Sequence, residues 1–416
     1  MLIQFKVENF RSYAAASTLS LVRGTKQRSP IDDKRIVRFP AGGPDVLRAA
    51  AIFGPNAGGK SNFLKAILKL KHAVLRSAAE NDALAFNPFA TPEFSVKPVN
   101  FEIEFIADEI QFLYSAGFAG ESVVQESLHS KPVGSRAVST LQFQRKKTNT
   151  DTAADIAFSG VLKNHPDVAL WQRNTRPHQL FLSQSQNLSA APLLLGPFEW
   201  FRKTLVVVNP GANGLTSFFI KRLTDDAYRR RIINELIAAD LGISEVNVAE
   251  IISPEKFADA VFEKRPITET QVEFVHAPAA GPRFNLDFKD ESDGTQFFFS
   301  LLGPLEHVIR NSQILLVDEL DRSLHPLLVR RIVRAFAQGD SKSQLIFTTH
   351  DATLLDADVL RRDQVWFAER DAQHQSSLRR LAQGNVRMDK ALMRAYLDGQ
   401  FRGVPIIGSE GMLCEE

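Results

Sequence analysis

One run of residues constrains this chain more than any other: Gly54-Pro55-Asn56-Ala57-Gly58-Gly59-Lys60-Ser61 fits G-x-x-x-x-G-K-[ST] in full. The glycines permit backbone conformations closed to other residues, so successive N–H groups can turn inward around phosphate oxygens. Ahead of the run lies a short apolar stretch, Leu47 to Phe53. Behind it Phe63, Leu64, Ile67, Leu68, Leu70, Val74 and Leu75 recur at steps of three and four, the period of an amphipathic helix. A strand, a glycine loop and a helix are therefore expected, with the positive end of the helix aimed at an anion. Lys60 would bring a full charge to the β/γ-phosphates of a nucleotide, and the Ser61 hydroxyl would ligate Mg²⁺. Asn62 completes the residues expected around the phosphates.

Three further elements fit the same chemistry. Ile314-Leu-Leu-Val317 reads as a buried strand ending in Asp318-Glu319. A carboxylate there sits at the carboxyl edge of a parallel sheet, where Asp318 would reach the metal and Glu319 would polarise the attacking water. Leu345-Ile-Phe347 forms another such strand before Thr348-Thr349-His350. The stretch between, from Pro326 to Gln338 before Gly339, reads as a helix that starts with Pro and stops at Gly. This crossover would carry His350 to the γ-phosphate. Finally, Glu291-Ser292-Asp293-Gly294-Thr295-Gln296 precedes an apolar run. It reads either as an anion-binding tip through Ser292 and Gly294 or as a simple helix cap.

The rest of the 416-residue chain sets boundaries. Hydrophobic residues at 44% and charged ones at 24% supply an ordinary globular core, which excludes a disordered or collagen-like chain. Lys and Arg total 50 against 48 Asp and Glu, so binding to nucleic acid through bulk charge is not expected. The single cysteine, Cys414, rules out an internal disulfide and a multi-cysteine zinc site. No apolar run is long enough to span a membrane, and Lys6 and Glu8 stand where a signal peptide would be apolar, so a cytoplasmic location is expected. Val99–Ile106, Ile110–Phe118 and Val123–Leu128 alternate as strands of an antiparallel meander. A mostly helical stretch follows over 190–242, broken by a strand at Leu205–Asn209. The basic clusters Arg145-Lys146-Lys147 and Arg229-Arg230-Arg231 admit two readings, a DNA-binding patch or a solvated face.

The four elements, in this order, resemble the ABC-class ATPases, including chromosome-maintenance heads and RecF. Ser292 to Gln296 looks like their signature motif, Asp321-Arg-Ser-Leu-His-Pro326 like the loop after the second acidic motif, and His350 like their switch histidine. The opening Phe5 to Tyr13 resembles the first strand of the RecF-like branch. Leu360 to Glu369, Ser377-Leu378 and Tyr396 to Pro405 are similar to the terminal signature of the bacterial AAA-fifteen family, found in abortive-infection and phage-defence operons. The resemblance implies an α/β fold: an ABC/SMC-like head with a mixed central sheet, an antiparallel β subdomain and a helical insertion. It divides the chain into an ATPase core (1–70 and 285–416), a β-rich subdomain (95–190) and a helical or mixed insertion (191–284). It further implies ATP and Mg²⁺ as cofactors and ATP hydrolysis as the activity. A homodimer or higher homo-oligomer would form, in which Ser292 and Gly294 close over a partner's nucleotide. A separately encoded effector of TOPRIM-like or RloB-type fold is implied as well. RecF-like junction binding and a scaffold that holds ATP without turnover are the alternatives. A glutamine contacting Mg²⁺ is expected, with Gln184 and Gln186 as candidates, although either fits a surface loop. No long coiled-coil arms and no fused nuclease are expected.

Overall fold

The computed structural model describes residues 1–24, 32–40, 42–79, 85–146, 155–185, 192–208, 217–252, 268–278, 280–338, 341–381 and 390–401. Two compact units are present. One comprises Met1–Val207, Val308–Leu320 and Arg330–Glu416; the other comprises Val208–His307 and Asp321–Val329.

The first unit contains the sheet on which the glycine loop is mounted. Its strands run in the order β11-β15-β16-β5-β17-β18, with β5 at Ala49–Phe53, β11 at Leu205–Val208, β15 at Ile314–Val317, β16 at Gln344–Thr348, β17 at Val365–Arg370 and β18 at Ser376–Arg380. β15, β16, β5 and β17 are parallel neighbours, and β18 returns antiparallel. Every residue of β5, β15 and β16 is buried, as expected of parallel strands covered on both faces. Register sets Val317 opposite Phe347 and Thr348 opposite Ile52, so the three strands end level with one another.

A second sheet of the same unit runs β10-β9-β8-β7-β6-β1-β2. It joins β1 (Leu2–Glu8) and β2 (Ser17–Ser20) to a meander of β6 (Val99–Ala107), β7 (Ile110–Ala119), β8 (Ser122–Pro132), β9 (Thr140–Lys146) and β10 (Asp155–Phe158). The three alternating runs of the sequence are thus real antiparallel strands, and β1 pairs with β6. A small β3–β4 pair (Ile36–Val37 and Val46–Leu47) lies before β5.

The helices of this unit begin with α1 (Lys60–Arg76), the one after the glycine loop. α2 (Pro92–Ser95), α3 (Val168–Asn174), α4 (Phe181–Gln184) and α5 (Pro192–Lys203) follow. α1 buries Phe63, Leu64, Ile67, Leu70 and Val74, and the same core takes in β1, the meander and α5. Leu68 and Leu75 pack partly buried against that core. Towards the C-terminus α10 (Lys390–Leu397) sets Tyr396 against Phe53 and Phe367, so the end of β5 rests on an aromatic cluster.

In the second unit α6 (Ser217–Arg222) and α7 (Asp226–Ala238) precede an antiparallel sheet of β12 (Ile243–Ile252), β13 (Thr268–His276) and β14 (Phe284–Asp287). α8 (Asp293–Arg310) starts here, as does α9 (Pro326–Gln338), which occupies the range expected from its Pro and Gly boundaries.

Candidate functional site

The glycine loop leaves β5 at Gly54 and enters α1 at Lys60. Gly54 has φ 153° and Gly59 φ 106°. A Cβ on Gly54 would lie 2.4 Å from the Ala368 carbonyl oxygen of β17, and one on Gly59 would lie 2.4 Å from Ser376 Oγ of β18. Both positions therefore require glycine for conformation and for space. Ala57 also takes a left-handed φ of 60°, and the Gly58 amide donates to the Pro55 carbonyl to close the turn. Pro55 is half-buried, while Asn56 and Ala57 form the exposed tip. Gly59 caps α1 without a side-chain hydrogen bond, so no side-chain cap occupies the first helical amides. That arrangement suits an anion.

The loop is braced from the turn between β1 and β2: Tyr13 Oη donates to the Gly59 carbonyl at 3.2 Å, and Asn62 Nδ2 donates to Ser12 Oγ at 2.9 Å. Burial pushes the Tyr13 hydroxyl pKa far up, which keeps it a donor at neutral pH. Lys60, only 6% exposed, donates through Nζ to the Gly54 carbonyl at 2.8 Å and the Pro55 carbonyl at 3.0 Å. Its ammonium thus lies against the loop that would hold the phosphates.

The acids follow directly from the sheet. Asp318 stands at the end of β15, and Ser61 Oγ donates to its Oδ1 at 3.0 Å. Thr348, fully buried at the end of β16, donates to the same oxygen at 2.6 Å. The Thr348 hydroxyl in turn accepts the Glu319 amide at 2.7 Å. Glu319 has φ 52°, a left-handed conformation that costs a non-glycine residue about 1–2 kcal/mol. Two bonds to Thr348 hold it there, the hydroxyl contact and the Leu320 amide on the Thr348 carbonyl. His350 lies one step further on and is exposed. Its neighbours are fixed: the Thr349 amide donates to the Ile52 carbonyl, and the Asp351 amide to Thr349 Oγ1.

The Gly54–Asn62 segment, Asp318, Glu319 and His350 therefore issue from the ends of three adjacent parallel strands, the edge where open α/β sheets bind ligands. Thr348 belongs to this group and was not among the residues expected from the sequence. Its one signal there is a hydroxyl at the end of an apolar strand.

The donor set fits a Mg²⁺-nucleotide. A hydroxyl and a carboxylate 3.0 Å apart are hard oxygen ligands, few enough that phosphate and water would complete the shell. Among the described residues no group of three or more His, Cys, Asp or Glu could hold a metal without such help.

Ser292 and Gly294 lie in the second unit, together with the loop 321–326. Ser292 Oγ accepts the Thr295 amide at 3.1 Å and pairs with Thr295 Oγ1 at 2.9 Å, so it caps α8. Ser292 and Asp293 are nevertheless exposed. A Cβ on Gly294 would lie 2.4 Å from the Ser323 carbonyl oxygen, so the helix start and the loop after the acids touch through backbone.

Other expectations change. Gln184 ends a one-turn helix, Phe181–Gln184, and not a surface loop, and its Nε2 donates to Gln179 Oε1. Gln186 lies outside the described residues. Arg145 is 3% exposed and donates to the carbonyls of Arg176, Pro177 and Gln179, with its pKa lowered by burial. It stands opposite Glu126, whose carboxylate accepts Tyr114 Oη and the amides of Phe181 and Leu182. Arg229 pairs with Asp226, and Arg231 lies 3.6 Å from Glu306. Arg145 and Arg229 are committed within the fold, whereas Lys146, Arg230 and Arg231 are exposed. Lys147 lies outside the described residues.

With this geometry in view, residues 49–356 match the family described as "AAA domain, putative AbiEii toxin, Type IV TA system". The chain belongs to that family. The match covers the glycine loop, the acids, His350 and the Ser292 tip, and it ends before the C-terminal stretches from Leu360 onward. No curated protein matches in sequence. The chain is similar in structure to an SMC head bound to the C-winged helix domain of ScpA, at 14% identity and a TM-score of 0.44 over 91% of this chain and 97% of that one. It is also similar to an SMC head domain from Thermotoga maritima, at 14% identity and 0.38 over 91% and 98%. A third is an SMC head with an extended coiled coil derived from Pyrococcus furiosus, at 13% identity and 0.39 over 96% and 99%. No helix among the described residues is long and apolar enough to cross a membrane.

Proposed function

We propose that this protein is an ATP-binding and ATP-hydrolysing switch of ABC-like design that assembles as a homodimer or larger homo-oligomer. The observation that carries the reading is the meeting of Ser61, Asp318 and Thr348 beside the glycine loop. Residues 54–62 would hold the phosphates, and Lys60 would exchange two loop carbonyls for the β/γ-phosphates. Ser61 and Asp318 would hold Mg²⁺, which supplies charge neutralisation at the transferring phosphoryl group. Glu319 would take the proton of the attacking water, and His350 would donate to the γ-phosphate. Ser292 and the start of α8 would reach a partner's nucleotide, a role compatible with the cap because the residue is exposed.

The family's description as a putative toxin of a type IV toxin–antitoxin system supports a defence setting. In that setting the switch would act on a separately encoded effector, a nuclease or toxin of TOPRIM-like or RloB-type fold. We assign DNA no more than weak, non-specific contact, since Arg145 and Arg229, one from each basic cluster, are occupied within the fold.

The test is complementation between dead subunits. Lys60→Ala should lose ATP binding, and Ser292→Arg should bind ATP yet fail to hydrolyse it. Mixed under subunit exchange, the two create one site with an intact loop and an intact tip, and partial hydrolysis should return. Hydrolysis by Ser292→Arg alone at the wild-type rate would refute the composite site. Unchanged ATP binding by Lys60→Ala would refute the phosphate loop itself.

A further inference from the structure

The exposed tip at Ser292 is approached by a segment that one strand grips at both ends. β13 pairs with β14 so that Glu273 faces Asp287 and His276 faces Phe284. From β13, Gln271 Nε2 donates to Asp287 Oδ2 at 2.6 Å. At the far end His276 Nε2 lies 2.6 Å from Glu291 Oε1, with the two side chains only 14% and 7% exposed. The imidazole is held flat against the Phe284 ring, 5.0 Å away and 8° from parallel, which fixes the direction of Nε2. An ionised carboxylate only accepts, so Nε2 carries the proton and donates to it. Glu291 immediately precedes Ser292 in the chain. Its backbone is held from the other side, because Gln296 Nε2 donates to the Glu291 carbonyl at 2.7 Å and to that of Lys289 at 3.2 Å.

This arrangement is more than the helix needs. Ser292 already caps α8. A carboxylate withdrawn from water is costly unless paired, and a pair next to an exposed tip fixes position at the expense of solvation. We propose that His276 is a positioning residue: through Glu291 it sets where the Ser292 hydroxyl and the start of α8 lie when they close over a second copy's nucleotide. This rests on the composite-site reading above.

The experiment compares His276→Leu, which removes the donor, with His276→Gln, whose amide can still donate to Glu291. Ser292→Arg serves as the control. ATP binding, kcat, KM and the unfolding midpoint are measured on the full chain. His276→Leu should lose about tenfold in kcat, the scale set by small misplacements of a catalytic group. Its ATP affinity should stay within about twofold of wild type, since its own phosphate loop is untouched. His276→Gln should recover most of the lost kcat, and mixing His276→Leu with Lys60→Ala should restore turnover. Wild-type kcat in His276→Leu overturns the inference, as does equal impairment of the Leu and Gln variants. If the Leu variant does not fold, His276→Asn, polar but too short to reach Glu291, carries the same expectation. Wild-type turnover in Ser292→Arg sinks the composite site instead. A dead Ser292→Arg beside a normal His276→Leu removes only the role of His276.

Discussion

Replacing Thr348 by valine tests the centre of the site, because it keeps the side-chain shape and deletes one hydroxyl. That hydroxyl has two partners: it donates to Asp318 Oδ1 at 2.6 Å and accepts the Glu319 amide at 2.7 Å. Thr348 is fully buried, so no water can take the place of the lost group. The Glu319 amide would lose its acceptor, at about 1–3 kcal/mol for a buried unsatisfied donor. Loss of the bond to a charged acceptor would add about 1.5–3 kcal/mol, reduced because Asp318 is half-exposed and can turn to solvent. The net expectation is a destabilisation of about 2–4 kcal/mol. Thr348→Ser keeps both bonds and gives up only a methyl group, at about 1 kcal/mol. Urea unfolding of the two variants should therefore rank Ser above Val. In titrations of ATP binding against Mg²⁺, Val should raise the metal requirement about 10–100-fold, the usual effect of losing a group that orients a metal ligand. If Val were as stable as Ser and needed no more Mg²⁺, Thr348 would not be orienting Asp318.

Two further outcomes follow from burial and backbone. Burial is the main cause of the raised Glu126 pKa, only partly offset by Arg145 and by the hydrogen bonds it accepts. The folded protein therefore holds that proton more tightly than the unfolded chain. Its contribution is complete below the ordinary glutamate pKa and declines as pH rises towards the folded value, so stability should fall across that window. Glu126→Gln should flatten this slope in unfolding curves taken across mildly acidic to neutral pH; an unchanged slope would exclude Glu126 as its source. Gly54→Ala should cost about 2–4 kcal/mol, because the methyl meets the Ala368 carbonyl oxygen and the φ of 153° disfavours it. A thermal midpoint equal to wild type would mean that β17 does not pack against the loop.

Much of the site was legible because it depends on local rules. The glycines, the strand before them and the three-and-four spacing of Phe63, Leu64, Ile67, Leu70 and Val74 each point to a strand, a loop and a helix. Ile314–Val317 and Pro326–Gln338 announce their own ends through Asp318 and through the Pro and Gly at the helix boundaries. The division of the chain into two compact units was not legible in the same way. Loop 321–326 belongs to the second unit, although Asp318 and Glu319, just before it in the chain, belong to the first.

What the sequence withheld is mostly cross-strand register. Thr348 matters because β16 lies beside β15 with Phe347 opposite Val317, which carries the next hydroxyl to Asp318. In the sequence Arg145 belongs to a three-residue basic cluster, yet in β9 it shares a face with Phe143, two residues away, and both are buried. The pairing of β8 with β9 then sets it opposite Glu126, so a charge that suggested nucleic acid becomes an internal brace for the 176–182 segment. His276 and Glu291 are a third case, joined only once β14 folds back along β13. In each case the residue type is visible in the sequence and its partner is not. A lone polar residue in phase with buried apolar neighbours along a strand is therefore better read as half of a cross-strand pair than as a surface group. By that criterion the phase of Arg145 with Phe143 alone argues against a DNA contact, while exposed Arg230, on a helix, carries no such mark.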